Sequence, residues 1–171
     1  EEAAYIASVD GEGIGVDEFV QSVTFSRYQY LSMYNQYAQM YSMYGLPLDS
    51  LNAQVEGILG EEGKAELGLT SVNELTYNKV LDLEAEKAGV EVTEDEVYSR
   101  LKTMFGYEDP AEEENSLLGM DSFAVDPNET DDDEDKYAAF EEYANMILAL
   151  GYDGKVSLDY LKNYAKHAML D

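Results

Sequence analysis

Tyr28-Gln29-Tyr30-Leu31-Ser32-Met33-Tyr34-Asn35-Gln36-Tyr37-Ala38-Gln39-Met40-Tyr41-Ser42-Met43-Tyr44-Gly45-Leu46-Pro47-Leu48 carries no charged side chain, in a chain of which 27% is Asp, Glu, Lys and Arg. On a helical register it separates into three stripes, each advancing by alternating three- and four-residue steps. Tyr30, Tyr34, Tyr37, Tyr41 and Tyr44 form the first, and Met33, Gln36, Met40 and Met43 the second. Together they make one broad face of tyrosine and methionine, backed by the polar stripe Ser32, Asn35, Gln39 and Ser42. Tyr offers a large apolar ring with a hydroxyl at its tip, and Met repacks around different shapes, so such a face suits a surface that accepts many sequences. Such a stripe is more often simply a helix's contact with its own core. A membrane span is disfavoured, because Gln, Asn and Ser recur at every turn and would need partners in lipid.

Working outward, the 171 residues, 45% of them hydrophobic, suffice for one domain spanning 1–171. A net charge of -27 repels phosphate backbones and anionic lipid surfaces, which excludes nucleic acid as a natural partner. The absence of cysteine excludes disulfides and thiolate metal sites. The chain opens on Glu1-Glu2-Ala3, so a segment removed from upstream, including any membrane anchor, is expected.

Ile6 to Val9, the turn dipeptide Asp10-Gly11, and Gly13-Ile14 predict a short hairpin or extended arm. A first helix is predicted from Val16 to Tyr44, with Asp17 and Glu18 in its first turn, Val20, Val23, Tyr30 and Tyr34 as its apolar seam, and Gly45 and Pro47 as its stop. A second covers Asp49 to Leu59. A third runs from Ser71 to Ala88, with Tyr77, Val80, Leu81, Ala85 and Ala88 on one face and Gly89 as terminator. Thr93-Glu94-Asp95-Glu96 is a capping box that opens a fourth helix through Val97, Leu101 and Met104. A long acidic loop, 108–135, follows, with an apolar island at Leu117, Leu118, Met120 and Phe123. Helices at Lys136 to Leu150 and Ser157 to Leu170 complete a mainly α architecture.

Three pieces stand in order: Ala7-Ser8-Val9-Asp10-Gly11-Glu12-Gly13-Ile14 with Asp17-Glu18-Phe19; Leu81-Asp82-Leu83-Glu84-Ala85-Glu86-Lys87-Ala88-Gly89-Val90; and Val92-Thr93-Glu94-Asp95-Glu96-Val97. This combination resembles the SurA-type N-terminal chaperone domain that accompanies parvulin-type peptidyl-prolyl isomerases in bacterial cell envelopes, over about the first 105 residues. The resemblance implies a helical domain with a short N-terminal hairpin or arm, located outside the cytoplasm (secreted, periplasmic or cell-surface), that holds unfolded or partly folded polypeptides. It also implies an isomerase domain, which this chain does not contain: either it follows Asp171 in a longer protein or it is missing altogether. His167 falls on a helical pattern with Tyr160, Leu161 and Tyr164, and no catalytic role is assigned to it.

With one histidine and no cysteine, neither a Ser-His-Asp arrangement nor a histidine-rich metal site is supported, and no cofactor is expected. The chemical alternative is a divalent cation held by Asp126, Glu129, Asp131, Asp132, Asp133 and Asp135, although their spacing departs from the EF-hand loop. The leading expectation is a non-catalytic chaperone or foldase-accessory domain. It would bind extended polypeptides along Tyr30, Met33, Tyr34, Tyr37, Met40, Tyr41, Met43 and Tyr44. The competing expectation is a structural or dimerisation module of a larger envelope protein, with the stripe buried against a second copy or an attached domain.

Overall fold

The computed structural model describes residues 5–108, 133–151 and 156–171. Among these, two short strands precede six helices. Strands β1 (Tyr5–Val9) and β2 (Glu12–Gly15) pair antiparallel across Asp10 and Gly11. Both turn residues have positive φ, 51° and 89°, as a two-residue type I′ turn requires, and Asp-Gly is a pair that tolerates it.

Helix α1 spans Val16–Met43, about 42 Å at 1.5 Å per residue. It closes in a Schellman arrangement: Gly45 N–H donates to the Ser42 carbonyl and Leu46 N–H to that of Tyr41, with Gly45 at φ 65°. Helix α2 is Asp49–Leu59. Helix α3, Lys64–Ala88, ends the same way, with Gly89 N–H on the Glu86 carbonyl and Val90 N–H on that of Ala85. Helix α4 is Glu94–Phe105, α5 is Asp133–Gly151, and α6 is Leu158–Leu170, capped by the Ser157 hydroxyl, which accepts from Tyr160 N–H.

Two helix starts differ from the sequence reading. Helix α3 begins seven residues before Ser71, because Leu67 buries in register with Ser71 and Leu75, and this packing outweighs the low helix propensity of Gly68. Helix α5 begins at Asp133, inside the acidic run, where negative charge suits a helix N-terminus. The apolar island at Leu117, Leu118, Met120 and Phe123, like most of the acidic loop, lies outside the described residues.

The buried faces also differ. Val20 is exposed, and the residues of α1 that bury are Ser22 and Phe25. On α3 the expected face is buried only in part: Tyr77, Val80 and Ala88 are exposed, Leu81 and Ala85 are half-buried, and the core stripe is Leu67, Ser71 and Leu75. Several apolar residues sit at helical spacing on more than one side of each helix. Which side faces inward is decided by the neighbours, α1 packing on α3, α2 and α5, and α3 on the hairpin and α6.

The main core lies where α4, α5 and α6 meet the first half of α1. Val97, Tyr98, Leu101, Tyr137, Phe140, Ala144, Leu148, Val156, Leu161 and Ala165 surround Phe25. Aromatic edges join it: Phe25 meets Tyr164 at 4.8 Å and Tyr160 at 5.9 Å between ring centroids, and Phe140 meets Phe105 at 5.5 Å, Tyr107 at 5.7 Å and Tyr98 at 6.4 Å. Edge-to-face pairs of this kind add about 0.5–1.5 kcal/mol beyond area burial.

The box at Thr93 orients α4 into that core. Thr93 N–H donates to Glu96 Oε2 at 2.8 Å and Glu96 N–H to Thr93 Oγ1 at 3.3 Å. Glu94, one residue later, accepts from the Tyr137 hydroxyl at 2.9 Å and pairs with Lys162 at 3.0 Å, tying α4 to α5 and α6. Thr93→Ala removes the cap, so a loss of about 1 kcal/mol in denaturant unfolding is expected, with an unchanged dependence on denaturant concentration.

Candidate functional site

Beyond Phe25 no residue of α1 is buried. The second half of this helix leaves the main core and carries the uncharged stretch, with α2 folded back beside it. Two bonds hold that pair together. Arg27 Nη1 donates to the Leu59 carbonyl at 3.1 Å, and the Tyr34 hydroxyl donates to Asn52 Oδ1 at 2.7 Å.

The eight residues of the Tyr and Met face divide into two groups. Tyr30, Tyr34 and Tyr41 are half-buried. Met33 and Tyr37 are each 46% exposed, Met40 41%, Met43 82% and Tyr44 72%. Leu46, in the turn to α2, is exposed beside them. The stripe is thus not a fully buried core contact, since Met33, Tyr37, Met40, Met43 and Tyr44 are exposed.

Concavities lie on both flanks of Met33. Toward α2, Tyr30, Met33, Tyr34 and Tyr37 meet Leu51, Gln54, Val55 and Ile58 around an apolar cleft of about 60 Å³. Toward α4, Phe25, Tyr28, Gln29, Ser32, Met33 and Gln36 meet Met104 and Phe105 around an open cleft of about 230 Å³. The α2 and α4 contributions could not be read from the sequence, because they depend on which faces of separate helices come together. Burial raises the Tyr28 phenol above its usual value, against a hydrogen bond to Ser32, so it remains a hydrogen-bond donor at neutral pH.

Away from this face, α3 and α6 are joined by a charged cluster. Asp82 accepts from Lys166 Nζ at 2.8 Å, and its other oxygen lies 2.9 Å from His167 Nε2. The single histidine therefore ties two helices together. Burial pushes the Asp82 carboxyl upward, but the bonds from Lys166 and His167 outweigh it and hold the carboxyl below its ordinary range. Nearby Glu74 is raised by burial, with the His167 charge acting against the shift.

These two carboxyls impose opposite pH dependences. Asp82, lowered in the fold, contributes stability that is present above its unfolded value, near 3.8, and lost as pH falls through the folded value. Glu74, raised in the fold, contributes stability below its unfolded value, near 4.5, that is lost as pH rises through the folded value. At pH 7, Asp82→Asn is expected to lower the melting temperature and Glu74→Gln to raise it. Both differences should shrink as the pH is lowered, that of Glu74 first and that of Asp82 only as the pH falls through its lowered folded value.

Asp126, Glu129, Asp131 and Asp132 lie outside the described residues, and nothing is assigned to the side chains of Asp133 and Asp135. Among the described residues no group of three His, Cys, Asp or Glu side chains could hold a metal ion, and no helix is long and apolar enough to cross a membrane. No protein-family model matches the chain, and no curated protein and no solved structure matches it either.

Proposed function

We propose that this chain is a non-catalytic chaperone or foldase-accessory domain of the SurA N-terminal type, acting outside the cytoplasm on unfolded or extended polypeptides. The observation that carries the reading is the exposure of Met33, Tyr37, Met40, Met43 and Tyr44 along an uncharged stretch of a protein whose net charge is -27. Contiguous exposed apolar side chains mark interaction sites more often than they arise by chance on a monomer. Tyr and Met, being adaptable, suit partners of varied sequence. The ordered motifs from Ala7 to Val97 support the same reading by resemblance.

The acidic remainder of the surface keeps a loaded complex soluble and favours neutral or basic clients, an attraction that salt weakens. The test is aggregation of a chemically unfolded client protein, followed by light scattering with and without the chain, beside a prolyl-isomerisation assay on a proline-containing peptide. Suppressed aggregation without faster isomerisation is expected. An unsuppressed client would reject the proposal.

A second reading has its own observation. Tyr30, Tyr34 and Tyr41 are already half-buried against neighbouring structure, as they would be in a module whose stripe completes an interface with a second copy. Sedimentation equilibrium separates the two: a monomer over the concentrations at which aggregation is suppressed favours client capture, and a stable dimer favours the interface.

A further inference from the structure

A further concavity lies between α1, α3 and α6, away from the Tyr and Met face. It is an open cleft of about 380 Å³, within the size range of small-molecule sites, and Leu75 belongs to its lining. Around it stand Glu18 and Gln21 from α1, Asn78 and Lys79 from α3, and Asp159 and Asn163 from α6, with His167, already paired with Asp82, at its edge. The side chains of Glu18, Asn78, Lys79, Asp159 and Asn163 make no hydrogen bond or ion pair with the described residues. Gln21 uses its Oε1 twice, accepting from Ser157 N–H at 2.9 Å and Ser157 Oγ at 2.8 Å, which leaves its amide NH₂ free. Tyr160 and Tyr164 add aromatic surface to the same wall.

The chemistry of this lining narrows the ligand by elimination. An apolar ligand would strip water from carboxylates, amides and an ammonium without replacing their hydrogen bonds, at a cost of a few kcal/mol for each group. An anion would face Glu18 and Asp159 within the field of a protein of charge -27. A simple cation would meet the Lys79 ammonium in the same space. A zwitterion would set its carboxylate among Glu18 and Asp159 as well as Lys79 and the amide donors, against that field. A neutral polyhydroxyl compound has none of these conflicts. Each hydroxyl both donates and accepts, so it can give a proton to Glu18, Asp159 or an amide oxygen while accepting from Lys79 or an amide NH₂. The apolar C–H face of a sugar ring can lie on tyrosine.

We propose that the cleft between α1, α3 and α6 binds a neutral saccharide of one or two rings. The site is separate from the polypeptide-binding face and does not depend on that function.

The test is an NMR titration of the isotopically labelled full chain with maltose, cellobiose, lactose and N,N′-diacetylchitobiose, each taken to the ~10 mM range expected for a weak site. At least one sugar should shift the side-chain amides of Gln21, Asn78 and Asn163 while leaving α1 beyond Phe25 unmoved. Asn163→Ala, at an exposed position that leaves the core intact, should weaken that sugar about tenfold, the effect of losing one well-made hydrogen bond to the ligand. Glycine betaine and arginine serve as zwitterionic and cationic probes. The inference is overturned if none of the four sugars moves these amides, if shifts appear only on the Tyr and Met face, or if either charged probe shifts the cleft and the sugars do not.

Discussion

Replacing Met33, Tyr37, Met40 and Met43 together by Ser is expected to abolish most of the suppression of client aggregation while leaving the domain folded. These four are the exposed Tyr and Met residues of the face that lie within α1, Tyr44 following at its C-terminal end, and all lie beyond Phe25, the last buried residue of α1. An exposed substitution away from the core usually changes stability by no more than about 0.5 kcal/mol. Met33 and Tyr37 also wall the cleft toward α2, so a total loss of about 1–3 kcal/mol is the expected ceiling, against domain stabilities of about 5–15 kcal/mol. Far-ultraviolet circular dichroism should therefore be retained as light scattering rises to the client-alone level. Tyr34 and Tyr41 are left in place because they are half-buried, and truncating them would mix a folding defect with a binding defect. If the fourfold variant unfolds, the stripe is structural. If it stays folded and suppresses aggregation as well as the parent, the client surface lies elsewhere.

Phe140→Ala should produce the largest loss of stability. Phe140 is 0% exposed and touches the rings of Tyr98, Phe105 and Tyr107, so its removal opens a cavity where α4 and α5 meet and deletes three aromatic contacts at once. Phe-to-Ala changes in cores cost about 3–5 kcal/mol. At a shift of about 2–4 °C per kcal/mol for a chain of this size, the melting temperature should fall by about 10 °C or more. Phe140→Leu keeps most of the volume but loses the ring edges, and should recover roughly half of the loss. Equal destabilisation by Leu and Ala would show that the ring contacts, and not the filled volume, carry the stability there. The core is formed without the outer half of α1, so Phe140→Leu at a temperature where it is folded should still suppress aggregation. Binding and stability would then be separable within one chain.

Much of the fold was legible because local chemistry acts over a few residues. Asp10-Gly11 supplies the positive φ values that close the hairpin, Gly45 and Gly89 the left-handed residues that end α1 and α3, and Thr93 with Glu96 the reciprocal bonds that open α4. Each of these satisfies backbone donors or acceptors that a helix end leaves free, so the signal lies within three or four positions of where it acts. The order of the elements and the uncharged character of 28–48 come from the same local source.

What required the tertiary structure was the choice of faces. Val20, Tyr77 and Val80 have the periodicity of core residues and are exposed, while Ser22 and Ser71, polar and small, are fully buried. Apolar periodicity identifies a helix but not its inward side when two stripes compete, and small residues bury where helices approach closely. The same limit applies to the candidate sites. The sequence alone supplied the Tyr and Met side chains of α1. The opposing walls, Leu51, Val55 and Ile58 of α2 and Met104 and Phe105 of α4, together with the polar cleft of Glu18, Asn78 and Asn163, exist only because residues distant in the chain are brought side by side.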